Sequence, residues 1–217
     1  MPLSTFGVLL LLASGVWFYS SSSKPSQSQP APSPAVATTD EPRVEQKRAD
    51  PPPPKPLSLD QRLAGRQLAV ALEVVRPLLG DTIDQPSEAD LSFARWAARS
   101  LTWEDLQSVQ ETEPALVMKD SEAERGKRIC ASGSIVQIEA QRGNFGRIYG
   151  GLLLTYAGTT IYFFAAGDTG SLVAHSDARF CGIVSGRNEY KTNFGGTNQA
   201  VLAIGMFDLP SNHTAKK

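Results

Sequence analysis

The chain has 217 residues and a net charge of −1, from 21 Lys plus Arg against 22 Asp plus Glu, so no bulk basicity points to a nucleic-acid partner. Eleven of its 15 prolines precede Ser58, and 160 residues follow Leu57. That length suits one domain with a modest core, or a small domain with an accessory helical layer, and excludes a second full-sized catalytic domain.

From Phe6 to Tyr19 the chain carries no charge, and neutral residues extend the run from Leu3 to Ser23. About 20 uncharged residues are enough to cross a hydrocarbon core of roughly 30 Å as a helix. Trp17, Phe18 and Tyr19 suit the headgroup region. Residues 1–23 are therefore expected to form an N-terminal transmembrane anchor. The competing reading is a cleaved signal, with Ser20 and Ser22 as the small pair, although Met1 to Thr5 holds no Lys or Arg. Either places the rest of the chain outside the cytoplasm, in a bacterium the periplasm. Residues 24–57 are rich in Pro and Ser and end in Pro51-Pro52-Pro53-Pro54-Lys55-Pro56-Leu57. Such a segment cannot bury enough apolar surface to fold and reads as a disordered, extended linker, reaching on the order of 100 Å.

Residues 58–113 read as a helical region of two or three helices. Ser58-Leu59-Asp60-Gln61 has the form of a capping box, and Leu59, Leu63, Val70, Val74 and Leu78 recur near helical spacing until Pro77 and Gly80. Ser87-Glu88-Ala89-Asp90 opens a second helix with Phe93, Ala94, Ala97 and Leu101, and Thr102-Trp103-Glu104-Asp105 starts a third. Trp96 and Trp103 read as packing anchors. This region holds five basic and ten acidic residues, whereas Ala115 to Lys217 holds eleven and eight. The asymmetry can either hold the helices against the C-terminal half of the chain or attract an anion.

After Pro114 the texture changes: 14 of the 18 glycines lie between Gly126 and Gly205, with short runs of β-branched and aromatic residues between them. Five strands are expected, at 128–139, 148–156, 160–166, 179–185 and 200–207, with room for a turn or two of helix at Asp168–His175. Three strands, a short helix and two strands is the order of an OB-fold, a five-stranded Greek-key barrel. The opening Glu124-Arg125-Gly126-Lys127-Arg128-Ile129-Cys130-Ala131-Ser132-Gly133 and the later Ala178-Arg179-Phe180-Cys181-Gly182-Ile183 resemble strands of OB-fold domains in bacterial envelope proteins. The resemblance covers roughly 120–209 and is of fold alone. It implies a mainly β chain in which an OB-like barrel (114–210) follows the helical layer and a polar tail (211–217) ends the sequence. In such a barrel the first and fourth strands are neighbours, so Cys130 and Cys181 would lie on adjacent antiparallel strands, and in an exported chain an even pair is a disulfide candidate. Small buried core residues are the other reading of both.

Two loops share the sequence Asn-Phe-Gly with basic neighbours: Gln141 to Arg147 and Glu189 to Gly196. In OB-folds these connections flank the ligand face, which strands two and three floor. The expected ligand-binding residues are Arg142, Phe145, Arg147, Tyr149, Tyr190, Lys191 and Phe194, with Tyr156 and Tyr162 also available for the floor. The alternative is that Asn-Phe-Gly merely turns the chain. The expected partner is a protein, a peptide or a cell-wall glycan; nucleic acid is uncommon outside the cytoplasm. A structural role in an envelope complex, with no ligand groove, is the second reading.

Asp168-Thr169-Gly170-Ser171 repeats an aspartic-protease signature, and Gly186-Arg187-Asn188 resembles a segment of the retroviral type. Those enzymes share one proton between two carboxylates. Only 15 residues separate Gly170 from Gly186, too few for a flap, and Gly167 stands where an apolar residue belongs. Asp168 is the single candidate for such an activity, and a non-enzymatic protein is expected. With His175 and His213 as the only histidines and no phosphate-binding glycine motif, no metal or other cofactor is expected.

Overall fold

The computed structural model describes residues 55–141, 147–192 and 195–214. The apolar run of 1–23 and nearly all of the Pro-rich linker lie outside the described residues. No helix among the described residues is long and apolar enough to cross a membrane.

Helix α1 (Leu59–Leu63) begins at the expected capping box, in which the Ser58 hydroxyl accepts the Gln61 N–H and the Gln61 side chain accepts the Ser58 N–H. The helix does not continue to Pro77. Gly65 takes a left-handed φ of +66°, which ends it, and α2 (Leu68–Val75) starts afresh before a 3-10 turn at Arg76–Leu78. The interruption changes the phase of the apolar face. Leu68, Ala71, Val75 and Leu79 are buried, whereas Val70 and Leu78, expected on that face, are exposed. Helices α3 (Glu88–Ser100) and α4 (Trp103–Ser108) start at the expected boxes on Ser87 and Thr102. Past Pro114 and ahead of the first expected strand, the chain forms two short helices that were not expected, α5 (Pro114–Lys119) and α6 (Ser121–Glu124). Proline at the first position of α5 starts it without losing a hydrogen bond.

The chain is mainly β with helices. Strands β2 (Arg128–Gln141), β3 (Ile148–Thr155), β4 (Thr160–Ala166), β5 (Asp177–Lys191) and β6 (Thr197–Phe207) fall where five were expected, and a two-residue strand, β1 (Thr82–Ile83), is additional. They form one six-stranded sheet in the order β1-β5-β2-β3-β4-β6, which a β5–β6 pairing closes in a ring. Strands β4 and β6 run parallel, as do β1 and β5; the other pairs are antiparallel.

Alternation along these strands divides the apolar residues between two clusters. One gathers Ile129, Ile135, Leu153, Ile161, Phe163, Phe180, Val201 and Phe207 inside the ring. The rings of Phe163, Phe180 and Phe207 meet there at centroid distances of 5.1 to 5.5 Å. Residues of opposite parity, including Ile148, Phe164, Ile183, Leu202 and Ile204, join Leu63, Val75, Phe93, Trp96 and Ala97 of the helices. Helices and ring therefore share a core. Trp96 stacks on Phe93 at 5.3 Å and donates its Nε1–H to the Arg66 carbonyl at 3.1 Å. The asymmetric charge is used in the same joint: Arg128 pairs with Glu111 at 2.7 Å, Arg187 with Asp81 at 2.6 Å and Lys191 with Asp84 at 3.8 Å.

Cys130 and Cys181 are direct register partners on β2 and β5, and their sulfurs are bonded. Asp168–His175 forms turns instead of the helix expected there. Gly167, Gly170 and His175 have φ of 85°, 52° and 70°, and the Asp168 carboxylate accepts the Gly170 N–H at 2.9 Å, an Asx turn and not a helix cap. The tail is likewise not wholly free. In α7 (Pro210–His213) the His213 ring lies 4.4 Å from that of Trp103, and Asn212 Oδ1 accepts the Asp168 N–H at 2.8 Å.

Candidate ligand groove

A groove of about 510 Å³ crosses the outer face of the ring. Its floor is β3, at Gly150, Gly151 and Leu152, with Tyr162 of β4 beside it. One wall is the end of β2, through Val136, Gln137, Glu139 and Gln141; the other is the end of β5, through Tyr190, Lys191 and Thr192.

The local sequence builds each part. In β2 the register slips between Ile135 and Gln137, where two apolar residues, Ile135 and Val136, stand in succession. Past this bulge the alternation changes phase. Ile138 packs against the inner cluster, and Gln137, Glu139 and Gln141 line the groove. Gln137 Nε2 donates to Glu139 Oε1 at 2.9 Å. Gly150 puts no side chain on the floor and is itself buried; the atoms nearest a Cβ built there are Phe164 Cε1 at 3.4 Å, Gln141 Nε2 at 3.5 Å and Phe164 Cδ1 at 3.7 Å. At the other wall, Thr192 donates its N–H to the Gly196 carbonyl at 2.7 Å and its hydroxyl to the same oxygen at 3.1 Å, closing the β5–β6 turn. Burial pushes the Tyr162 phenol up, and the Glu139 carboxylate pushes it further.

Of the residues expected from sequence to bind ligand, Tyr190 and Lys191 line the groove, as does Tyr162. Tyr149 has the opposite parity on β3 and packs against the inner cluster. Arg147 is exposed at the start of β3, where its charge helps hold the Asp168 carboxyl below the ordinary range, after the larger effects of the Gly170 N–H and Ser211. Tyr156 is exposed at the end of β3, and its phenol is raised chiefly by a hydrogen bond with Asp177. Arg142, Phe145 and Phe194 lie outside the described residues. The β2 row and the glycine at Gly150 of the floor were not foreseen; the adjacent Ile135-Val136 was the available signal. Among the described residues no three His, Cys, Asp or Glu side chains gather as a metal site would require. Compared with known proteins, the chain matches no family model, no curated protein and no solved structure.

Proposed function

We propose that the ring is an OB-like Greek-key barrel built from β2 to β6, and that the chain is a membrane-anchored, exported module that engages a macromolecular partner in the groove. The observation that carries this reading is the groove's position, on β3 and β4 beside the end of the β5–β6 hairpin. These are the second and third strands and the fourth connection of the barrel, where OB-folds take their ligands. The pairing of β2 with β5, and of β4 with β6 in parallel, supports the barrel reading. The bonded Cys130 and Cys181 support an oxidising compartment, and the uncharged run from Leu3 to Ser23 supports the anchor.

The test is site-specific crosslinking in the cell. A photoreactive residue replacing Tyr190 is expected to capture one partner that the same residue replacing Leu78, exposed on the helical layer, does not. Tyr190→Ala is expected to lose that partner without a change in melting temperature. Equal capture from both positions, or a Tyr190→Ala chain that keeps its partner, favours a purely structural role.

A further inference from the structure

We propose that the groove takes a short stretch of an uncharged glycan; this rests on the groove being the binding site. The main chain of the floor is fully committed, since Ile148 to Leu154 are registered with β2 on one side and β4 on the other. Over this floor a peptide would lose water from its own N–H and C=O groups and find none on β3 to pair them; the open edge beside it is that of β2 past Ile135, which among the described residues is registered with β3 alone. On the floor itself the ligand is read by side chains.

Among the described lining residues there is one carboxylate, Glu139, and one ammonium, Lys191, which also faces Asp84 at 3.8 Å. Such a balance gives a polyanion nothing to neutralise. Gln137, Glu139 and Gln141, on alternate positions of β2 about 7 Å apart, offer amide, carboxylate and amide in a row. The two amides donate and accept and the carboxylate accepts, which suits ligand hydroxyls that do both. Tyr162 and Tyr190 add an apolar ring face with a polar tip, suited to a sugar ring whose C–H face is apolar and whose edge is polar. At Gly150 the floor has no side chain of its own and is covered by Phe164 and the Gln141 amide, 3.5 Å from the position a Cβ would take, which sets that amide at the floor of the groove to meet a ligand hydroxyl.

Calorimetric titration of the full-length chain in detergent micelles tests this, with chitotriose, cellotriose and maltotriose as neutral saccharides, a proline-rich decapeptide and an oligothymidylate. At least one trisaccharide is expected to bind saturably, with affinity lowered tenfold or more by Gly150→Leu, which fills the floor, and by Gln141→Ala, which removes the amide set there. Melting curves identify variants that fold, and Gln141→Ala, at an exposed position, serves if Gly150→Leu does not. Binding of the peptide or the oligothymidylate in place of the saccharides, weakened by these variants, overturns the glycan and leaves the groove reading standing. Saccharide binding that neither variant weakens, or no binding of any probe, overturns both.

Discussion

The Ser185 hydroxyl donates to the carboxylate of Asp90, and neither residue is exposed to solvent. The other carboxylate oxygen accepts the Ser87 N–H at 2.8 Å and the Ser87 hydroxyl at 2.6 Å. One acidic side chain thus caps α3 and ties it to β5 at the bulge between Val184 and Gly186. These donors compensate the carboxylate for its lost water. Ser185→Ala removes one of them without leaving room for solvent, and is expected to cost about 1–3 kcal/mol. Urea unfolding measures it, and a variant as stable as the parent would show that the contact contributes nothing.

The Cys130–Cys181 bond joins positions 51 apart in sequence. By loop-closure entropy a bond of that span stabilises by roughly 4 kcal/mol. For a folded part of this size, the double variant Cys130→Ala/Cys181→Ala is expected to melt lower by roughly 8–16 °C. Reductant should lower the parent's melting temperature and leave the double variant unchanged. A parent insensitive to reductant, with its thiols shown to be free, contradicts this expectation.

Two glycines in the strands should respond in opposite ways to the same change. A Cβ on Gly205 would stand 2.0 Å from the Cys181 carbonyl oxygen, so Gly205→Ala has to push β5 and β6 apart. Its expected cost is about 3 kcal/mol or more. On Gly150 the nearest atom would be a side-chain carbon at 3.4 Å, ordinary contact. Gly150→Ala is expected to be neutral, or to stabilise by up to about 1 kcal/mol, because alanine has less chain entropy to lose. Thermal melts of the two variants decide it; a large loss from Gly150→Ala would assign that glycine to the fold and not to the groove.

The helix starts at Ser58, Ser87 and Thr102 were legible because a capping box closes over four residues and needs no tertiary partner. The interruption at Gly65 was not, since glycine inside a helix costs only about 1 kcal/mol and the apolar spacing continued across it. Packing decided the matter: α1 lies against α3, where Asp60 pairs with Arg95 at 3.0 Å. On β3 both parities are largely apolar, because one face meets the inner cluster and part of the other meets the helices. Polarity could not say that Tyr149 turns inward while Gly150 faces out. Tyr190 and Lys191 were found because a hairpin end is a local feature; Gln137, Glu139 and Gln141 depended on a bulge whose phase only the paired strand reveals.

Asp81 joins the helical region to the β5–β6 hairpin. Its Oδ1 accepts the Arg187 N–H at 2.8 Å, and its Oδ2 accepts Nε–H at 2.9 Å and Nη2–H at 2.6 Å. Burial pushes this carboxyl up, but the hydrogen bonds from Arg187, with one from Ser121, outweigh it and hold the group below its ordinary value of 3.8. A carboxyl lowered by folding stabilises the folded chain when ionised. Its contribution is complete above the ordinary value and is lost as pH falls through the lowered one. Asp81→Asn is therefore expected to be less stable than the parent at neutral pH, with the gap closing below about pH 4. Arg187→Gln, which removes the cation and leaves a shorter polar side chain, should show the same closing gap. Denaturant unfolding at a series of pH values measures it. A gap that stays constant down to about pH 2.5 would mean that the ionised Asp81 carboxylate does not hold the hairpin.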